Sequence, residues 1–165
     1  MKAIMAISSD GFFCKDQSDD MKWTGELDKS FFKMYTHCAS FLIVGYNTAK
    51  NLPELKDRNV FVYQSEERPF SEEDKEKFRK KNFAITNFIW EYWPETTVCI
   101  GGPSLLEDLF LSDGLTEICI STVETVKLDA DERYSAKKIL NRLKNWKKIK
   151  IISNKEIDVS IYRKE

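Results

Sequence analysis

Five short apolar runs constrain what this chain can fold into: Lys2–Ser8 (KAIMAIS), Ser40–Gly45 (SFLIVG), Asn59–Tyr63 (NVFVY), Thr97–Ile100 (TVCI) and Glu117–Val123 (EICISTV). The first two lack the alternation of a strand with one wet face. They read as strands covered on both sides, as a parallel sheet requires. The segments between the runs suit helices. Gly25–Cys38 has Thr24 as its expected cap and Glu26 as first-turn charge. Leu27, Phe31, Phe32, Met34 and Tyr35 form its apolar side. Asn47–Leu52 is a short helix that Pro53 stops, Ser71–Lys80 a charged helix with a solvated face, and Ser104–Leu111 a helix ended by Asp113-Gly114. Ala136–Asn145 suits one more short helix, Asn82–Thr86 one more strand, and Asn87–Tyr92 a short aromatic helix or turn ahead of Pro94. Lys147–Ser153 and Ile157–Arg163 alternate around Asn154-Lys155 and predict a terminal antiparallel hairpin. The expected fold is α/β: one domain over residues 1–165, with a central mixed, mostly parallel sheet, flanking helices and a C-terminal antiparallel hairpin.

Composition removes several functions. Lys plus Arg number 26 and Asp plus Glu 27, for a net charge of −1, so the basic excess of a nucleic-acid binder is missing. No run approaches the ~18 apolar residues of a membrane span. MKAIMAISSDGFF is too short an apolar stretch for an export signal and has no small-residue cleavage site, so a cytoplasmic protein is expected. Cys14, Cys38, Cys99 and Cys119 are far apart, with no C-x-x-C pair, and His37 is the sole histidine. No metal site and no hydrolytic triad is expected. The thiols read as three buried ones and one in a loop, in a reducing compartment.

Ligands of such sheets sit at the carboxyl ends of the strands. Three strand ends stand out here. The first leads to Asp10-Gly11, the second to Gly45, and TVCI runs into Gly101-Gly102-Pro103. Two glycines between strand and helix let backbone approach a ligand, and the helix start favours a phosphate; packing alone also produces that pattern. Neither G-x-x-x-x-G-K nor G-x-G-x-x-G is present. Asp28 lies among Leu27, Phe31 and Phe32 at helical spacing. Held there, a carboxyl is raised toward neutrality and can handle protons; the other reading is an exposed acid paired with Lys29 or Lys33.

Six short motifs then follow in one order: Trp23 with Asp28 and Phe32; Thr36; Gly45-x-x-Thr48; Leu55-x-x-Arg58-Asn59-Val60; Ile100-Gly101-Gly102; and the terminal hairpin. Together they resemble dihydrofolate reductase over nearly the whole chain, and their compact form is similar to bacteriophage versions, whose place is the host cytoplasm. The resemblance implies hydride transfer from NADPH to 7,8-dihydrofolate, giving tetrahydrofolate, by a protein that is a monomer rather than a dimer. It implies catalytic roles for Asp28, Trp23 and Ser121. Asp28 binds the pterin's amino group and ring nitrogen and favours protonation near the hydride acceptor. Trp23 orders a water, and the Ser121 hydroxyl supports the acid and the pterin amino group. Met5, Ala6, Phe32, Leu55, Arg58 and Ile100 complete the substrate contacts, with Arg58 pairing to the α-carboxylate of the glutamate tail. For the cofactor it implies Ala6, Phe13, Met21, Gly45, Tyr46, Asn47, Thr48, Ile100, Gly101, Gly102, Pro103, Ser104 and Leu105.

The sequence departs from the family pattern in places. Tyr46 and Asn47 stand where an arginine and a second polar or basic residue clamp the 2′-phosphate of NADPH, so NADH is admitted as well, and Lys50 or Arg68 is the available substitute. Lys29 stands where an apolar contact is common, and Thr36–Gly45 is one residue long for the pattern. Ala6–Gly11 (AISSDG) is also similar to the pyrimidine reductase of riboflavin synthesis, which has the same fold. The alternatives are therefore a pyrimidine reductase of that type and a phage binding or virion component with little activity.

Overall fold

Each apolar run forms a strand in the computed structural model, which describes residues 1–87 and 93–165. The strands are β1 (Lys2–Ser8), β2 (Leu42–Val44), β3 (Val60–Tyr63), β4 (Phe83–Thr86), β5 (Val98–Cys99), β6 (Glu117–Val123), β7 (Lys147–Ser153) and β8 (Ile157–Arg163). The helices are α1 (Gly25–Tyr35), α2 (Tyr46–Asn51), α3 (Glu72–Lys80), α4 (Pro103–Leu111) and α5 (Lys137–Arg142). The strands make one sheet in the order β4-β3-β2-β5-β1-β6-β8-β7. From β4 to β6 every pairing is parallel; β8 runs antiparallel to both β6 and β7, which is the expected hairpin.

The pleat sends alternate side chains to two cores. Ile4, Leu42, Val44, Val60, Val62, Val98 and Cys119 face one side, where Phe31 of α1, Ala49 of α2 and Phe78 of α3 cover them. Ala3, Met5, Ile7, Ile43, Cys99, Ile118 and Ile120 face the other, under Leu105, Leu106 and Leu109 of α4 and Ile139 of α5. Residues buried on both faces are what made these strands read as continuous apolar runs.

Local details differ from expectation. The Thr24 hydroxyl does not cap α1; it turns back and donates to the Met21 carbonyl (3.0 Å), closing the 3-10 turn Lys22–Thr24 instead. Of the expected apolar side of α1 only Phe31 is buried, while Met34 is 63% exposed and Leu27 40%. The helix also ends at Tyr35, short of Cys38. Two thiols, not three, are buried: Cys99 and Cys119, which burial pushes up to about 12. Cys38 is exposed beyond the end of α1, and Cys14 is half-buried. The aromatic turn expected at Asn87–Tyr92 lies, apart from Asn87, outside the described residues.

Candidate active site

The helices that follow the neighbouring strands β2 and β5 go to opposite faces of the sheet, α2 to one and α4 to the other. A crevice must open between their starts, at the carboxyl ends of both strands, as at any such switch point in an α/β sheet. A groove of about 450 Å³ lies there. Its inner wall is backbone. The Gly45 N–H donates to the Gly101 carbonyl (2.8 Å), joining the two strand ends. A Cβ on Gly102 would stand 2.6 Å from Thr48 Oγ1, and one on Gly45 would stand 3.3 Å from the Gly102 nitrogen. The Gly101–Gly102 peptide is cis, and Gly101 has φ +108°. The first bond within α4 runs from the Leu106 N–H to the Gly102 carbonyl (3.1 Å), so the Ser104 and Leu105 amides precede it at the helix start. Such amides suit a phosphate.

The second part of the site is the Asp28 carboxyl, on the α1 face of the sheet. The β1–β6 register pairs Ala6 with Ser121, which puts both on the face occupied by Ile4 and Cys119, under α1. Asp28 is 9% exposed and Ser121 1%. Burial pushes the Asp28 carboxyl up, against the pull of the Ser121 and Thr24 hydroxyls and the Lys29 ammonium. Ser121 Oγ is near enough to act on the acid, yet it makes no hydrogen bond of good geometry with any described residue. Phe32, Leu55 and Ile100 are half-buried against the same core. This is a carboxyl raised by burial, beside an apolar wall with an unsatisfied hydroxyl next to it, an arrangement suited to binding a flat, polar-edged ring. The exposed-acid reading of Asp28 does not fit its burial.

The other expected residues are distributed as follows. Gly45, Tyr46, Asn47, Thr48, Gly102, Pro103, Ser104 and Leu105 line the groove. The Met5 side chain points into the α4-side core, so only its backbone is left for a ligand. Phe13 is buried in that same core and does not line the groove. Met21 has a left-handed backbone (φ 61°) at the start of the 3-10 turn, and the Trp23 indole N–H donates to Asp19 (3.0 Å), tying the ring to its own loop. Arg58 donates to the Thr36 carbonyl (2.5 Å) and more weakly to that of Lys33 (3.4 Å), at the C-terminal end of α1. Asp10, singled out as a strand end, is occupied with structure. The Ser8 hydroxyl and the Leu128 and Asp129 amides donate to it and, against burial, bring its carboxyl to about 2. Sequence reasoning missed Ser65, Phe70, Ser71, Asp74 and Asp108 in the groove wall, none of which carries a motif.

No family model matches the chain, and no curated protein matches it. Solved structures do. A protein from Shewanella sp. PV-4 named for riboflavin biosynthesis has a TM-score of 0.64 at 13% identity, over 99% of this chain and 98% of that one. A pyrimidine reductase-like protein from Corynebacterium diphtheriae has 0.62 at 12%, over 98% and 90%. Dihydrofolate reductase from Enterococcus faecalis, complexed with NADP(H), has 0.60 at 14%, over 98% and 94%. The chain therefore has the fold that dihydrofolate reductase shares with pyrimidine reductase-like proteins.

Proposed function

We propose that this chain reduces dihydrofolate to tetrahydrofolate with a reduced nicotinamide dinucleotide. The observation that carries this reading is the buried Asp28 carboxyl, with Ser121 beside it, on a sheet whose adjoining crevice is walled by glycine backbone. The groove residues fit the cofactor: the backbone amides of Thr48, Gly102, Ser104 and Leu105 would hold its phosphates, in a space that Gly45 and Gly102 keep clear of side chains. When bound, the dinucleotide supplies the hydride. The chain does the rest. Asp28 accepts hydrogen bonds from the amino group and a ring nitrogen of the substrate, and its charge favours protonation of the nitrogen beside the hydride-accepting carbon. Ser121 has a hydroxyl to spare for the same amino group. Phe32, Leu55 and Ile100 orient the ring and exclude water. The two Arg58 hydrogen bonds leave donors over from the five of a guanidinium, and these would pair with the tail carboxylate.

One observation favours reduction of a ribosylaminopyrimidine instead: Arg58 already serves the end of α1, a purely structural duty. The two readings part on Arg58→Leu. A folate reductase loses tail binding, so KM for dihydrofolate rises by the worth of a partly wet charge-assisted bond, about 1.5–3 kcal/mol, with kcat moved less. A dihydropterin lacking the glutamate tail shows no such penalty, and the two substrates on the two proteins close a double cycle. Equal losses for both substrates would make Arg58 structural and shift the case to the pyrimidine.

A further inference from the structure

We propose that the outer half of the groove selects a dinucleotide with a free 2′-hydroxyl, NADH over NADPH, through the carboxylate of Asp74. The inference rests on the dinucleotide reading above and deepens it. The inner end of the groove, at Gly45 and Gly102, is where phosphates fit. From there the groove runs away from β1 and Asp28, past Tyr46, to Phe70, Ser71 and Asp74 on the β3 side of the sheet. Whatever is joined to the phosphates on that side is the half of the cofactor that does not react, and its ribose comes to Asp74.

The Asp74 carboxylate is fixed before any ligand arrives. The Tyr46 hydroxyl donates to its Oδ2 (2.6 Å), and the Tyr46 ring is itself set against Phe70 and Phe78, with centroids 5.2 and 6.0 Å away. The Asp74 backbone N–H is bonded to Ser71 Oγ (3.1 Å), the cap of α3. Tyr46 uses one lone pair of a carboxylate that has about four, so a ribose diol can donate to the rest. In Rossmann-type sites an acid takes the 2′-hydroxyl whereas an arginine takes the 2′-phosphate, and the same chemistry applies to a ribose beside Asp74. The Tyr46 hydroxyl also holds this carboxyl below its ordinary range, so it is charged at neutral pH. Asp108 adds a second carboxylate to the groove wall.

The cations nearby do not reverse the sign. Lys50 lies over the Tyr46 ring, 5.0 Å from its centroid, and with Lys77 acts on Asp74 itself. Arg68 lines the groove from an exposed position and must immobilise a long side chain to meet a phosphate, whereas the acid is already in place. The pre-set group is thus an anion, which repels a phosphate and accepts from a hydroxyl.

The test is the dissociation constant of each reduced dinucleotide, read without substrate from nicotinamide fluorescence, for wild type, Asp74→Asn and Tyr46→Phe, each checked for folding by thermal melt. Wild type is expected to bind NADH at least about tenfold more tightly than NADPH, the scale of one charge-assisted contact. Asp74→Asn removes the charge, tightens NADPH and brings the two within about threefold. Tyr46→Phe keeps the charge and keeps the preference for NADH. NADPH binding as tightly as NADH in wild type overturns the inference, as does Asp74→Asn moving both equally. If the folded wild type binds neither, the dinucleotide reading itself fails, and the inference with it.

Discussion

Residue by residue, the site depends on groups whose neighbours leave no slack. Gly102 has an ordinary extended backbone, so its need for glycine is one of space: a Cβ there would stand 2.6 Å from Thr48 Oγ1. Gly102→Ala should cost about 1–3 kcal/mol through overpacking. Adding Thr48→Ala removes the atom in the way and should recover most of that, a coupling that urea denaturation of both singles and the double would read. Asp28 is the opposite case, a group that works against the fold. Its carboxyl is raised by burial, so ionisation opposes folding, and the penalty grows as pH rises through the folded value. Asp28→Asn should therefore be more stable than wild type at pH 7, by an amount on the order of 1 kcal/mol, with the gap closing in acid where both side chains are neutral. Asp28 could be found in the sequence because an acid among Leu27, Phe31 and Phe32 at helical spacing is chemically conspicuous. Asp74 could not, because its partner Tyr46 lies 28 positions away and only the packing of α2 on α3 joins them. The structural duty of Arg58 was hidden for the same reason.

Among the elements, strands were legible and helix faces less so. A strand buried on both sides needs apolar residues at every position, and Leu42–Val44 and Glu117–Val123 show it. In α1 the apolar stripe is broken: only Asp28 and Phe31 are buried, and Leu27 and Met34 are exposed where periodicity buried them. What anchors α1 at its far end is a polar cluster that no local pattern announces. Tyr35 donates to the buried Glu117 (2.6 Å), which also accepts from Arg163 of β8 (2.8 Å) and faces Lys2 of β1. Burial pushes Glu117 up, but Tyr35, Arg163 and Lys2 together bring it below its ordinary 4.5. A lowered carboxyl stabilises the fold above its unfolded pKa, and that contribution is lost as pH falls through the folded one. Tyr35→Phe leaves the carboxylate one donor short and should cost about 1–3 kcal/mol at pH 7. In urea titrations the difference should shrink below pH 4.5, while dinucleotide binding is unchanged.

At the scale of the molecule, one topological fact places both halves of the site. Because α2 and α4 leave adjacent strands for opposite faces, the crevice falls between β2 and β5, and β5 pairs with β1, which carries Ala6 toward Asp28 and Ser121. A ligand spanning the groove and the Asp28 face brings the two halves together across β1 and β5. The far edge strand β7 carries Lys147, Lys148 and Lys150, the kind of charge that disfavours strand-to-strand pairing. The proposed hydride transfer on this sheet is governed by Asp28. The most direct test is the initial rate at which reduced-nicotinamide absorbance falls when dihydrofolate is added, with NADH and with NADPH, for wild type and Asp28→Asn. Turnover by wild type is expected, with a loss of about 10²–10⁴-fold in the variant, the usual worth of a proton-transfer group. No turnover by wild type with either dinucleotide, or a variant keeping more than about half the rate, against that expected loss, would contradict it.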